Sequence, residues 1–346
     1  MGAELLTRVE GHAGRITLNR PQVLNALNQD MVTGMASALH AWTDDPQVDL
    51  VIVDAVGDRA FCAGGDIQLI YHSGRSKPEN ARRFWYDEYR LNTLIHHYPK
   101  PYVAIMNGIV MGGGVGISAH GSHRIVSERS SVTMPETGIG FLTDVGGTRL
   151  LADAPGETGM HLGLTATRMN AGDAIYAGFA DSYVPEERLA DLIQALSDKG
   201  DTAAIAQFTE AAPASPLARQ RALIDFYYGR ENIQQIVDAL EQSTGDWEGE
   251  TLKALRCVSP FSAVANFEAI RRARDVCGLE PCLVNEYRFA FRCLTRGDFY
   301  EGIRAAVIDK DRRPNWSPSR IEDVSQANVT AIFDPLAEED EWRPVE

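Results

Sequence analysis

At 346 residues, with 44% hydrophobic and 23% charged residues, the chain has ample sequence for a sizeable core in one large domain or two ordinary ones. A net charge of -15 argues against a nucleic-acid surface, which needs clustered Lys and Arg to neutralise phosphates. An anionic ligand would have to be met locally, by helix N-termini or a small basic cluster.

The opening stretch MGAELLTRVEGHAGRI lacks the apolar core of a secretory signal, and Glu4 and Glu10 interrupt any transit-like pattern, so a cytoplasmic location is expected. Residues 5–9 and 15–18 alternate apolar and polar side chains across EGHAG, which predicts a β-hairpin. Pro21 then closes the strand. Asn28 is a good N-cap for a helix whose Met31, Met35, Leu39 and Trp42 recur every three to four residues. Asp44-Asp45-Pro46 ends that helix, and residues 50–53 form a short apolar strand of the kind buried on both faces. In residues 60–67, AFCAGGDI, a glycine pair and an aspartate precede a second helical pattern. Residues 78–97 carry Phe84, Tyr89 or Glu88, Leu91 and Ile95 at helical spacing. Glu88 stands out among aromatics, although spacing alone allows an exposed carboxylate equally well.

Residues 101–144 organise the rest. Residues 102–105 predict a buried strand, Asn107 and Gly108 break it, and Gly112-Gly113-Gly114 sits where a strand hands over to a helix. The G-x-x-x-G spacings of Gly108, Gly112 and Gly116 also occur on membrane helices, but Pro101, Asn107 and the clustered glycines fit a strand and turn better, so no membrane span is expected. Residues 147–151 start another helix, and residues 165–184 read as helix, glycine turn and strand. From about residue 191 helical patterns take over. Residues 211–216 and 243–250 read as loops, 261–274 and 283–296 as amphipathic helices, and the acidic tail after Asn315 as partly mobile. This divides the chain into a catalytic core, residues 1–190, and a mainly helical region, 191–346.

Two glycine sites before helices supply backbone N–H donors, and Glu136 and Asp144 lie eight residues apart. Donors of this kind stabilise the oxygen of an ester or thioester as it gains charge. Two carboxylates in one pocket push their pKa values apart, so that one serves as base while the other holds a proton. Taken singly, each carboxylate reads by default as a helix cap or a turn residue. No G-x-S-x-G supports a serine nucleophile, although Ser118, His120, Ser122 and His123 lie close in sequence. Dinucleotide, Walker and H-E-x-x-H motifs are also missing, and the five cysteines (Cys62, Cys257, Cys277, Cys282, Cys293) form no C-x-x-C pair. Reduced thiols, no metal and no separate cofactor are therefore expected.

ITLNRPQVLNAL, AFCAGGDI and NGIVMGGGVG, followed by PE and GG, resemble the crotonase (enoyl-CoA hydratase/isomerase) superfamily, which binds acyl-CoA thioesters. The resemblance implies an α/β fold of the ClpP/crotonase type, a spiral of β-β-α units, here with a helical C-terminal part. It also implies homo-oligomers, unless the extended C-terminal part replaces those contacts. GGGVGISAHG, MPETGIGFLTDVGG, DEYRLN and NEYRFAFRCLTRGDFYEGIRAAVIDKDRRPNW look like the 3-hydroxyisobutyryl-CoA hydrolase branch, the thioesterases of valine breakdown. On this resemblance Gly65 and Gly113 supply the oxyanion hole, and Glu136 and Asp144 are catalytic. Substrate binding falls to Glu88, Gly113, Glu136 and Asp144, with Glu88 near a substrate hydroxyl. Gln22, Val23, Leu24, Ala63, Gly64, Asp66 and Ile67 match segments that hold coenzyme A, which is part of the substrate. Hydratases carry a second catalytic glutamate where this chain has Gly116, which weighs against hydration. Thr143 departs from the branch, where a proline would precede the aspartate, and implies a more relaxed loop. Arg271, Arg272 and Arg274 suit either CoA phosphates or a solvated helix face, the second being favoured. The rival functions are an enoyl-CoA hydratase or isomerase, and an acyl-CoA-binding protein without catalysis.

Overall fold

The computed structural model describes residues 3–344. The predicted hairpin is present: β1 (Leu5–Glu10) pairs antiparallel with β2 (Ala13–Leu18). Asn28 caps α1 (Gln29–Thr43) by accepting from the N–H of Met31, and Met31, Met35, Leu39 and Trp42 are its buried stripe. The chain then repeats one motif three times. A strand is followed after a short turn by a second strand that joins a different sheet, and then by helix: β3 (Leu50–Ala55) and β4 (Ala60–Cys62), β5 (Tyr102–Met106) and β6 (Ile109–Met111), β7 (His123–Val126) and β8 (Ser131–Thr133). With β9 (Ser182–Tyr183), the first strands build a six-stranded sheet in the order β1-β2-β3-β5-β7-β9, and the second strands build a three-stranded sheet, β4-β6-β8. The neighbouring strands from β2 onward, and all of β4-β6-β8, run parallel. This is the spiral of β-β-α units.

Period-two alternation explains the burial. Leu50, Ile52, Val103, Ile105 and Ile125 pack on one side against Leu189, Leu192 and Leu196, while Val51, Val53, Ala104, Met106 and Val126 join the main core on the other. A parallel sheet covered on both faces needs the continuous apolar strands seen in the sequence.

The helices that follow the second strands are α2 (Ile67–Ser76) with α3 (Pro78–His96), α4 (Gly113–Gly116), and α5 (Gly147–Asp153). Then come α6 (Thr158–Thr165), α7 (Ala171–Tyr176), α8 (Glu186–Lys199), α9 (Pro216–Tyr228), α10 (Ile233–Glu241) and α11 (Asp246–Cys257). The chain ends with α12 (Pro260–Arg274), α13 (Glu280–Cys293), α14 (Gly297–Ile303) and α15 (Gln326–Ile332). Two expectations need correction. The acidic interval 243–250 is largely the start of α11, because Asp246 and Glu248 in its first turn favour the positive helix end and Trp247 packs against the core. The tail is also anchored within its described residues: Trp342 is 1% exposed and its Nε1 donates to the carbonyl of Tyr86 on α3 at 3.1 Å. The C-terminal helices thus share one core with the spiral, as in the Phe141–Phe289 ring contact at 5.6 Å. No described helix is long and apolar enough to cross a membrane.

Candidate active site

The three parallel strands β4, β6 and β8 all point their C-terminal ends at one place. β4 leads into Gly64-Gly65, β6 into Gly112-Gly113, and β8 into Pro135-Glu136. These ends open on a cavity of about 600 Å³. Gly65, Glu88, Gly113, Glu136 and Asp144 all line it. So do Gln22, Val23, Leu24, Ala63, Gly64, Asp66 and Ile67, so the residues that the resemblance assigned to catalysis and to CoA are brought to the same cavity.

The N–H groups of Gly65 and Gly113 have no acceptor among the described residues. They lie close together, since a Cβ built on Gly113 would sit 3.2 Å from Gly65 N and would collide with Glu88 Oε1. A β-carbon at 113 would force the Glu88 carboxylate to shift. Any side chain at 113 would fill the space between the donors and the carboxylate.

Three carboxylates face this hole from different elements. Glu88 comes from α3, Glu136 from the one-turn helix Glu136–Ile139, and Asp144 from the loop before α5; they are 2%, 5% and 6% exposed. Glu88 Oε1 and Glu136 Oε2 are buried without a hydrogen-bond partner among the described residues. Burial, and then the nearby Asp144, push both glutamates well above the usual carboxylate range. Burial, with Glu286 adding to it, raises Asp144 to about 8, while the Tyr89 hydroxyl, donating to Asp144 Oδ2 at 2.8 Å, acts the other way. All three are therefore harder to ionise than ordinary carboxyls, and ionising one makes it a base beside neighbours that still hold their protons.

Several positioning groups were not legible in the sequence. Arg20 is buried and ties residues 20–26 to the segment of Asp66, donating to the carbonyl of Ala26 at 2.7 Å and to Asp66 Oδ2 at 3.1 Å. Asn25 donates to the carbonyls of Val56 and Ala60. The loop carrying Asp144 is not relaxed by Thr143, because the Thr143 N–H donates to Asn266 Oδ1 at 3.2 Å, a tether that proline cannot make. Arg59 and Lys310 supply cations to the cavity wall, and Trp85, Phe141 and Phe299 form an aromatic wall with ring separations of 5.3 to 5.8 Å. Arg271, Arg272 and Arg274 lie elsewhere; Arg272 pairs with Glu268 and Arg274 with Glu157. Ser118 donates to the carbonyl of Gly114 and His120 to that of Val145, so these two form no nucleophile–base pair. Among the described residues no group of three or more His, Cys, Asp or Glu is placed to hold a metal ion.

Gly116 is the position that separates hydration from hydrolysis by the resemblance. A Cβ there would meet Val145 Cβ at 2.7 Å and Asn92 Nδ2 at 2.8 Å, so the place where a second glutamate would start is already occupied.

Spiral topology and cavity together define an α/β protein with a backbone-donor hole walled by buried carboxylates. The chain belongs to the enoyl-CoA hydratase/isomerase family, whose model matches residues 13–333. It is 37% identical over 350 residues to 3-hydroxyisobutyryl-CoA hydrolase, mitochondrial, of Danio rerio, covering 98% of this chain and 91% of the relative. It is 35% identical over 356 residues to probable 3-hydroxyisobutyryl-CoA hydrolase 3 of Arabidopsis thaliana, covering 98% and 94%. Among solved structures it resembles a carnitinyl-CoA dehydratase from Mycobacterium thermoresistibile, with TM-score 0.95, 44% identity and 99% of each chain covered. An enoyl-CoA hydratase from Rhodobacter sphaeroides 2.4.1 gives TM-score 0.93 at 44% identity, covering 99% of this chain and 100% of the other.

Proposed function

We propose that the chain hydrolyses a short β-hydroxyacyl-CoA thioester, namely 3-hydroxyisobutyryl-CoA, to 3-hydroxyisobutyrate and free CoA, a step of valine breakdown. The observation that carries this reading is the union, in one cavity, of two free N–H donors and three buried carboxylates, with no room for a side chain at Gly116. The thioester oxygen accepts from Gly65 and Gly113 as it gains charge, each donor contributing about 3 kcal/mol. Glu136, assisted by Asp144, takes the proton of an attacking water, or attacks itself to form an anhydride that water then opens. By either route the C–S bond breaks, the sulfur takes a proton, and one water is consumed. Protonated Glu88 donates to the β-hydroxyl, and the aromatic wall suits a short acyl group. Lys310 and Arg59 meet the charge of the CoA phosphates at the cavity wall.

One observation favours a second reading: the two solved structures at 44% identity are a carnitinyl-CoA dehydratase and an enoyl-CoA hydratase by name. Hydration would add water across a C=C bond and leave the thioester intact. Thiol release from 3-hydroxyisobutyryl-CoA and loss of conjugated absorbance from crotonyl-CoA, followed in parallel, separate the two. Thiol release from the first substrate is expected; absorbance loss without thiol release would replace hydrolysis by hydration. The proposal extends to a reducing, cytoplasmic compartment, which the free cysteines suit, although the Danio rerio relative is named mitochondrial.

A further inference from the structure

Asp144 owes its place to backbone that its own segment does not favour. Val145, the next residue, is β-branched yet sits at φ 54, and Gly146 follows at φ 76. A β-branched residue rarely takes that region, so its surroundings must impose it. His120 Nε2 donates to the carbonyl of Val145 at 2.7 Å. Glu286 on α13 then takes the next donors: the N–H of Gly146 at 2.7 Å, the N–H of Thr148 at 3.1 Å, and the Thr148 hydroxyl. Both carboxylate oxygens of Glu286 are used, its side chain is fully buried, and no Lys or Arg pairs with it among the described residues. A buried carboxylate without a counter-cation is costly to keep, and here all its bonds go to one short turn.

We propose that Glu286 is a positioning residue for the reaction, its carboxylate clamping the turn from Val145 to Thr148 and so fixing Asp144 in the cavity. The inference rests on Asp144 taking part in the reaction carried out in this cavity. The titratable groups that face the clamp are Asp144 and Glu136 across the turn, Tyr89 on α3 and Cys282 on α13 itself, with His120 behind Val145.

The test is a double-mutant cycle on purified full-length chain, read as thiol release, or as hydration if that is what the wild type performs. Glu286→Gln keeps the size but turns a donor toward the turn, so kcat should fall about 10- to 100-fold with KM nearly unchanged. In an Asp144→Asn background the same change should cost less than about twofold, because its effect passes through Asp144. An unchanged kcat, or an equal loss in both backgrounds, overturns the proposal. Should Glu286→Gln fail to fold, Thr148→Val removes one donor at nearly constant shape. It should lower kcat about threefold only when Asp144 is present, and an unchanged kcat overturns the proposal. An active wild type with an indifferent Glu286→Gln sinks this inference alone; a wild type inert in both reactions sinks the proposed function with it.

Discussion

Asp144 shows how a residue's role depends on partners that lie far away in sequence. Its carboxyl accepts from Tyr89, 55 positions earlier, and its loop is held by Asn266 and Glu286 from beyond residue 260. Glu136, Asp144 and the glycines were legible because they sit in short motifs with fixed spacing. Tyr89 was not, because a tyrosine in a helical apolar stripe looks like core, and only the fold turns its hydroxyl to Asp144. Tyr89→Phe removes the side-chain donor that favours the ionised form of Asp144, so the pKa of Asp144 should rise further. The limb of the pH–rate profile that Asp144 governs should move to higher pH, and kcat/KM should fall about tenfold. A profile that superimposes on the wild type would show that this hydrogen bond does not act in the reaction.

At the scale of elements, the site follows from three parallel strands that end together. β4, β6 and β8 are short, and their register sets Gly65, Gly113 and Glu136 around one opening. The long partners β3 and β5 were readable as apolar runs, but β4, β6 and β8 were not, since a strand of three residues shows no periodicity and no sign of its partner. The acidic start of α11 was misread for a related reason: charge suggests a loop until Trp247 is seen to pack. α4 packs so closely on the Asp144 loop that Gly116→Ala should lower stability by about 1–3 kcal/mol through overpacking against Val145 and Asn92. Chemical denaturation measures this. A variant as stable as the wild type would mean that the helix can yield there, and the case against a second glutamate would weaken.

The whole molecule bears the energetic consequence of its site. Glu88, Glu136, Asp144 and Glu286 are all buried and all shifted upward, Glu286 to about 7. A raised folded-state value means that the folded chain holds protons which the unfolded chain has already released. The contribution to stability is therefore full below the ordinary carboxylate range and is lost as pH rises through the folded-state values. Glu136→Gln removes one such group, so its melting temperature should gain on the wild type as pH rises from about 6 to about 8.5. A constant difference across that range would mean that Glu136 is not held protonated by the fold. The closing of the tail over α3 by Trp342 belongs to this scale too, and was hidden in the sequence by the acidic residues around it.

The most direct test is the rate of thiol release from 3-hydroxyisobutyryl-CoA by the wild type and by Glu136→Gln. Both chemical routes need the carboxylate, so the variant should lose about 100- to 10,000-fold in kcat while remaining folded. A variant that keeps most of the wild-type rate would contradict the assignment of Glu136, and with it the site as described.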